Sequence, residues 1–366
     1  MNMMNAIKAC FAKEPINLGR QTELDIAKGI AIVFMVFSHA FEIMGWFFDP
    51  EISTDIAYGI FDRFLGGVFA APVFMFCMGI GFSYSRKNSA GDIFRRALNM
   101  VGIAALLEVF RTAIPGFLEW LLFRDPECIE YVYLFFEVDI LQFAAMAMLV
   151  LALFKQCRLK PTVMVILAVL CSVAGQLLQW VSTGSDIGDM AAGFIWHSCD
   201  YSYFPLLSWL IFPVCGYVFG DTWLKLKDKD AFFRMVTPIS WALTAVYFVS
   251  MAVVGEWYYL SGGDYYGLGI LDAVFALVTC FAMIGLGYYL EKWCARIAGW
   301  FGSMGRRVNS IYCIHWTLYC FLYLLLLCIL SVYVSQWTIV PAGIVVLAGS
   351  DWLSRLYITI KKGHRS

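Results

Sequence analysis

Leu24-Asp25-Ile26-Ala27-Lys28-Gly29-Ile30-Ala31-Ile32-Val33-Phe34-Met35-Val36-Phe37-Ser38-His39 begins among charges, runs through apolar residues and ends on a titratable ring. The apolar run goes on to residue 47, so the segment 24–47 is long enough to cross a bilayer as a helix, which takes about 20 residues. Nine more runs of this kind follow, near 59–84, 94–123, 132–155, 161–183, 203–223, 232–255, 267–291, 308–333 and 337–358. None alternates apolar and polar residues as barrel strands do, and within lipid only helices and closed barrels satisfy every backbone group. The fold expected is an all-α integral membrane protein of about ten transmembrane helices, with 1–366 forming one polytopic domain. Composition agrees. Hydrophobic residues make up 61% of the chain and charged ones 14%, more apolar surface than a soluble domain of 366 residues hides.

Lys and Arg in the short connections set the orientation. The even connections carry Arg86, Lys87, Arg95 and Arg96, then Lys155, Arg158 and Lys160, then Lys225, Lys227, Lys229 and Arg234, then Lys292, Arg296, Arg306 and Arg307. The tail adds Arg355, Lys361, Lys362 and Arg365. The odd connections are acidic or neutral, with Asp49, Glu51, Asp55, Asp125, Glu127, Glu130, Asp186, Asp189, Asp200, Glu256 and Asp264, and only Arg63, Arg111 and Arg124 fall toward that side. Both termini are therefore expected in the cytoplasm. Trp46, Trp120, Trp180, Trp257, Trp293, Trp300 and Trp337 mark span ends, where amphipathic rings collect. No small-residue cleavage site follows the first apolar run, so it reads as a retained span.

The net charge of −1 points to no class of partner, and the absence of a basic patch interleaved with aromatics makes nucleic acid a poor candidate. The twelve cysteines are scattered through apolar runs without CxxC pairs and read as small hydrophobes. Cys128 and Cys199 both fall in connections on the outer side, where a disulfide between them is conceivable. No histidine stands at ligand spacing from another histidine or a cysteine, so no metal site is expected.

Ionisable residues inside spans are costly in lipid and mark candidate functional positions. Lys28 and His39 are eleven residues apart, about three full helical turns, so they share one face with a rise of about 16 Å between them. Glu42 continues that face. The pattern is a line from the cytoplasmic interface into the membrane, ending at a group that can exchange a proton near neutral pH or carry an acyl group on nitrogen. The same residues also admit a structural reading, with His39 bonded to a neighbouring helix and Lys28 an ordinary positive-inside anchor. Glu108 and Arg111, three apart on the third span, can pair. Glu137 and Asp139 lie inside the outer end of the fourth span. With His39, Glu42, Glu108 and Arg111 they would line a polar outer cavity for a hydroxyl- or amine-bearing acceptor, or a water-filled vestibule. Arg86, Lys87, Arg95, Arg96, Arg306 and Arg307 suit the phosphates of a nucleotide-like donor as a set, while each alone also fits the positive-inside pattern. His315, about two turns into the ninth span, faces the same pocket or packs in the core. His197 and His364 read as solvated.

Arg20 through Lys28 to His39 resembles the first-span signature of the acyltransferase-3 superfamily: a basic residue, ten intervening positions, then histidine. Ala71-Pro72-Val73-Phe74-Met75-Phe76-Cys77-Met78-Gly79-Ile80-Gly81 resembles the second span of its branch related to heparan-α-glucosaminide N-acetyltransferases. Asp139–Gln142, Phe212–Tyr217 and Gly305–His315 are similar to later segments. The resemblance implies a membrane acyltransferase that uses acetyl-CoA, or another acyl-CoA, as cosubstrate, with no permanently bound cofactor. In it the family histidine corresponds to His39; the residues themselves suggest that Glu42, Glu108 or Asp139 orients the ring or the acceptor. The resemblance implies that cytoplasmic basic residues, here Lys28, Arg86, Arg95, Arg96 and Arg306, hold the donor's phosphates; Arg111, Glu137 and His315 are the expected acceptor-pocket residues from their place in the spans. The acceptor implied is a glycan or another polar molecule, and the expected setting is a bacterial cytoplasmic membrane. A homo-oligomer is compatible with the sequence. The rival from another class is a transporter or flippase of a polar or lipid-linked glycan, because intramembrane charges also mark substrate pathways.

Overall fold

The structure, a computed structural model, describes residues 3–46, 58–124, 130–330 and 336–363. Among these residues the regular structure is helical, with no strand and one isolated bridge between Phe11 and Leu226. Ten segments are long and apolar enough to cross a membrane: Thr22–Met44, Gly59–Ser83, Ala90–Phe123, Tyr131–Gln156, Pro161–Leu178, Leu206–Trp223, Lys229–Val254, Ile270–Trp293, Val308–Leu326 and Thr338–Lys361. They follow the ten apolar runs. Leu106, Leu177, Val246, Val253 and Val345 point outward along them, as lipid-facing residues do. The fifth span stops earlier than its hydropathy suggests. Trp180 takes a left-handed backbone (φ 60°), and its N–H donates to His197 O at 2.6 Å. Asp49, Glu51, Asp55, Asp125, Glu127, Cys128, His364 and Arg365 lie outside the described residues, as do the side chains of Trp46, Glu130, Trp337 and Lys362.

The helices group into two compact units. One comprises Met1–Gln21, Pro72–Ala104 and Phe136–Tyr289. In lipid no hydrophobic force draws helices together, so close backbone approach through small residues does the joining. Gly79 of the second span and Gly216 of the sixth meet in this way. A Cβ on Gly79 would strike Pro213 O, Tyr217 N and Gly216 C, and one on Gly216 would strike the backbone of Phe76. The fourth span is not the continuous helix expected. Glu130–Phe135 and Ile140–Gln156 are helical, with Glu137–Asp139 non-helical between them. Val138 N–H donates to Tyr201 O (2.8 Å) and Phe204 N–H to Val138 O (2.9 Å), so a loop supplies the backbone partners that a helix would have provided. Asp139 caps the helix that follows by accepting from Ile140 N at 2.6 Å.

His197, expected in solvent, is buried in this unit at 3% exposure. Its Nδ1 donates to Ser202 O (2.6 Å), its Nε2 lies 2.9 Å from Asp264 Oδ2, and Trp180 packs edge-on against its ring. Asp264 also accepts from Gln179 Nε2 (2.7 Å) and from the amides of Tyr266 (2.8 Å) and Gly267 (3.0 Å). Burial pushes the Asp264 carboxyl up, but the bond and charge of His197, with the Gly267 and Gln179 donors, hold it below its ordinary value. These non-local partners make burial of the ring tolerable.

The other unit comprises Thr22–Ala71, Ala105–Phe135 and Leu290–Ser366. The connection between the eighth and ninth spans, expected only as a basic loop, contains the helix Ala295–Gly305. Ala298, Phe301, Gly302 and Gly305 recur at helical spacing, and the helix packs along the start of the first span. Contact is again backbone to backbone. A Cβ on Gly29 would strike Phe301 O, and one on Gly305 would strike Asp25 O and Gly29 N. Arg307, after this helix, is buried and fully used. It donates to Ser303 O, Asp351 O (2.9 Å), Asp351 Oδ1 (2.6 Å), Ser303 Oγ and Ser354 Oγ, tying the ninth and tenth spans together. Tyr319 of the ninth span donates its hydroxyl proton to Val36 O of the first (2.8 Å), one turn from His39.

Candidate active site

Three spans of the second unit bring side chains to one place. The first carries His39 and Glu42. The ninth carries Tyr312, His315, Trp316 and Tyr319, whose i, i+3, i+4, i+7 spacing puts them on one helical stripe. The third carries Glu108 and Arg111 where its helix widens into a π-helical turn, Val109–Ala113. Such turns occur often at functional sites, because the extra residue shifts a side chain out of regular register.

His39 Nδ1 lies 2.7 Å from His315 Nε2, and the two rings are coplanar to within 8°. His315 is fully buried, and its Nδ1 lies 3.0 Å from Ile311 O, one turn back on its own helix. A carbonyl oxygen only accepts, so His315 Nδ1 carries a proton. In a neutral ring its Nε2 is then an acceptor, and the proton between the rings belongs to His39 Nδ1. With both rings uncharged, His39 Nε2 is left with a free lone pair. The chain Ile311 O, His315, His39 thus selects one tautomer of His39, the role a carboxylate or carbonyl plays behind many catalytic histidines. Glu42 Oε2 stands 3.9 Å from that Nε2, beyond hydrogen-bond length.

An aromatic wall completes the site. The Trp316 ring lies 4.2 Å from the His39 ring, and Arg111 Cζ sits 4.7 Å from the Trp316 centroid. The Arg111 guanidinium is held from the other side by Glu108, through Nε to Oε2 (3.2 Å) and Nη2 to Oε1 (2.6 Å). Both residues are about 97% buried or more, so removing either partner leaves an uncompensated charge, typically worth about 3–5 kcal/mol. Behind His39, Ser38 donates to Asp62 Oδ1 at 2.5 Å.

His39, Glu42, Glu108, Arg111 and His315 therefore share one unit and are connected directly or through Trp316. Lys28 and Arg306 belong to the same unit. Lys28 pairs with Asp25 at 3.0 Å, and Arg306 is exposed, its Nη1 close to the position a Cβ on Gly302 would take. Arg86, Arg95, Arg96, Glu137 and Asp139 belong to the other unit. Arg86 and Arg95 are exposed, while Arg96 binds Ser85 Oγ and Lys87 O (3.0 Å). Among the described residues no group of three or more His, Cys, Asp and Glu is placed to hold a metal ion. Sequence reasoning missed Trp316, Tyr312 and Asp62. The stripe of aromatics about His315 was the available signal for the first two; Asp62 gave none beyond a carboxylate near a span end.

Residues 20–257 match the family described as heparan-alpha-glucosaminide N-acetyltransferase, catalytic, a match that covers more than half of the chain. The chain belongs to that family. The matched segment of this heparan-alpha-glucosaminide N-acetyltransferase family member contains His39, Glu42, Glu108, Arg111, Glu137 and Asp139. It ends before the ninth span, so His315 and Trp316 enter the site from outside it. No curated protein and no solved structure matches the chain.

Proposed function

We propose that the protein is a membrane acetyltransferase that moves an acetyl group from acetyl-CoA, or a close acyl-CoA, to a hydroxyl or amine of a polar acceptor such as a glycan. Family membership supports the reaction class. The observation that carries the mechanism is the 2.7 Å bond between His39 Nδ1 and His315 Nε2, which leaves the lone pair on Nε2 of His39. In this reading the acceptor X–H gives its proton to His39 Nε2 as X attacks the thioester carbon. The tetrahedral intermediate then collapses, the C–S bond breaks, and Nε2 returns its proton to the departing sulfur, releasing CoA as the thiol. Glu42 stabilises the imidazolium between the two steps. Glu108 fixes Arg111, and Asp139 orders the break in the fourth span. Lys28, Arg306, Arg86, Arg95 and Arg96 are the basic side chains available to donor phosphates. The same proposal puts the basic connections and both termini in the cytosol of a bacterial membrane, and includes kinship with the wider acyltransferase-3 superfamily.

The test is acetyl-CoA turnover by purified protein in nanodiscs, followed as free thiol, with His39→Ala beside wild type. The expected loss on His39→Ala is at least about 100-fold. Full turnover in that variant would end the mechanism. Wild-type protein that is folded yet neither binds acetyl-CoA nor releases thiol would favour transport of a polar glycan. A labile acetyl group trapped on His39 by rapid quenching, and released by hydroxylamine, would instead assign the ring as nucleophile.

A further inference from the structure

Trp316 is 9% exposed, and its indole Nε1–H meets no hydrogen-bond partner among the described residues. Four other buried side-chain atoms share that condition: Asn88 Oδ1, Ser172 Oγ, Ser208 Oγ and Thr237 Oγ1. Helical serine and threonine hydroxyls rotate and can bond a carbonyl of the preceding turn. An indole N–H has no such freedom, since it only donates and its direction is fixed by the ring. Buried donors are nearly always satisfied, and inside a membrane bulk water does not stand in. This orphan donor lies on the ring that packs 4.2 Å from His39. The opposite resource, positive charge, is on the same ring. The Arg111 guanidinium sits 4.7 Å from its centroid, pinned by Glu108 at two points and set by a π-helical turn. A cation over an indole face polarises the ring and makes its N–H a stronger donor.

We propose that Trp316 Nε1–H is the oxyanion donor of the site, a catalytic residue that hydrogen-bonds the acyl carbonyl oxygen while negative charge develops on it. The ligand it takes is the carbonyl of a thioester. The inference rests on reading His39 as the acyl-transfer centre. As the acceptor's X attacks the carbonyl carbon and its proton passes to His39 Nε2, the C=O π electrons move onto oxygen. Trp316 N–H and the field of Arg111 stabilise that oxygen. The electrons then return, and the C–S bond breaks with loss of thiolate. A donor with no partner in the resting site and one in the transition state is what differential stabilisation requires.

The experiment replaces Trp316 with benzothienylalanine in the full-length protein, exchanging N–H for sulfur in a ring of nearly the same shape, with Trp316→Phe as a second variant. Thiol release is measured beside wild type and His39→Ala. The expected result is a kcat lowered about 100- to 1000-fold with KM for acetyl-CoA within about threefold. The C=O stretch of a carbonyl-¹³C ketone analogue of acetyl-CoA, CH2 in place of sulfur, should lie lower when bound to wild type than to the benzothienylalanine protein. An unchanged kcat with an unchanged stretch overturns the inference and leaves the His39 mechanism standing. A raised KM with unchanged kcat also overturns it, reducing Trp316 to a binding wall. Wild-type protein that fails to bind acetyl-CoA overturns both.

Discussion

His315→Ala removes the acceptor of His39 Nδ1–H, a bond of 2.7 Å between a fully buried ring and one whose side chain is 12% exposed. Two costs follow, and they differ in size. Leaving a buried donor unmade lowers stability by about 1–3 kcal/mol. Releasing the ring from its tautomer and orientation removes most of what a positioned base contributes, about 10²–10⁴ in rate. At about 1.36 kcal/mol per factor of ten this is about 2.7–5.4 kcal/mol of barrier. A His315 that merely packs the core would show the first cost without the second. The assay is acetyl-CoA thiol release in nanodiscs, normalised to folded protein by thermal unfolding. His315→Gln separates the readings further, because its amide oxygen can accept from His39 Nδ1 and should restore at least about tenfold over alanine. Folded His315→Ala protein with kcat within about threefold of wild type would refute the relay.

Gly79→Ala should lower stability by about 1–3 kcal/mol, because the new Cβ meets the backbone at Tyr217 N (2.6 Å) and Gly216 C (2.9 Å), which cannot rotate away. Gly102→Ala, which meets nothing within 4 Å, is the control expected to be neutral, and equal unfolding midpoints for the two variants would contradict the packing argument. Asp264 has a carboxyl held below its ordinary value by His197, Gly267 and Gln179 despite burial. A depressed folded-state value stabilises the protein above the unfolded value, about 3.9, and that stability is lost as pH falls through the folded one. Asp264→Asn should therefore be less stable than wild type at neutral pH, with the gap closing below about pH 4 in unfolding curves. A gap that persists unchanged into that range would count against the assignment.

Much of the architecture is local information. Apolar runs of about 20 residues have one stable form in lipid, so the ten spans were legible from hydropathy. The spacing of Lys28, His39 and Glu42 was equally local, because helical geometry alone puts them on one face. The Glu108–Arg111 pair was legible for the same reason. The helix Ala295–Gly305 left a readable stripe that a charge-based reading of its connection passed over.

What remained hidden depended on how helices turn against one another. His39 and His315 are 276 residues apart, and each alone fits a core position. Their meeting depends on the rotation of two helices about their own axes. Contacts such as Gly29 with Phe301, Gly305 with Asp25, and Tyr319 with Val36 set that rotation, and no single helix contains it. The burial of His197 followed from Asp264, Gln179 and Ser202, partners outside its own segment. The break before Asp139 followed from a distant loop that takes the backbone bonds of Val138. Sequence by itself determined which segments enter the membrane and which ionisable groups go with them, because lipid tests each segment separately. Only the tertiary structure decided which of those groups touch, because side-chain contact requires the relative phase of helices that packing alone supplies.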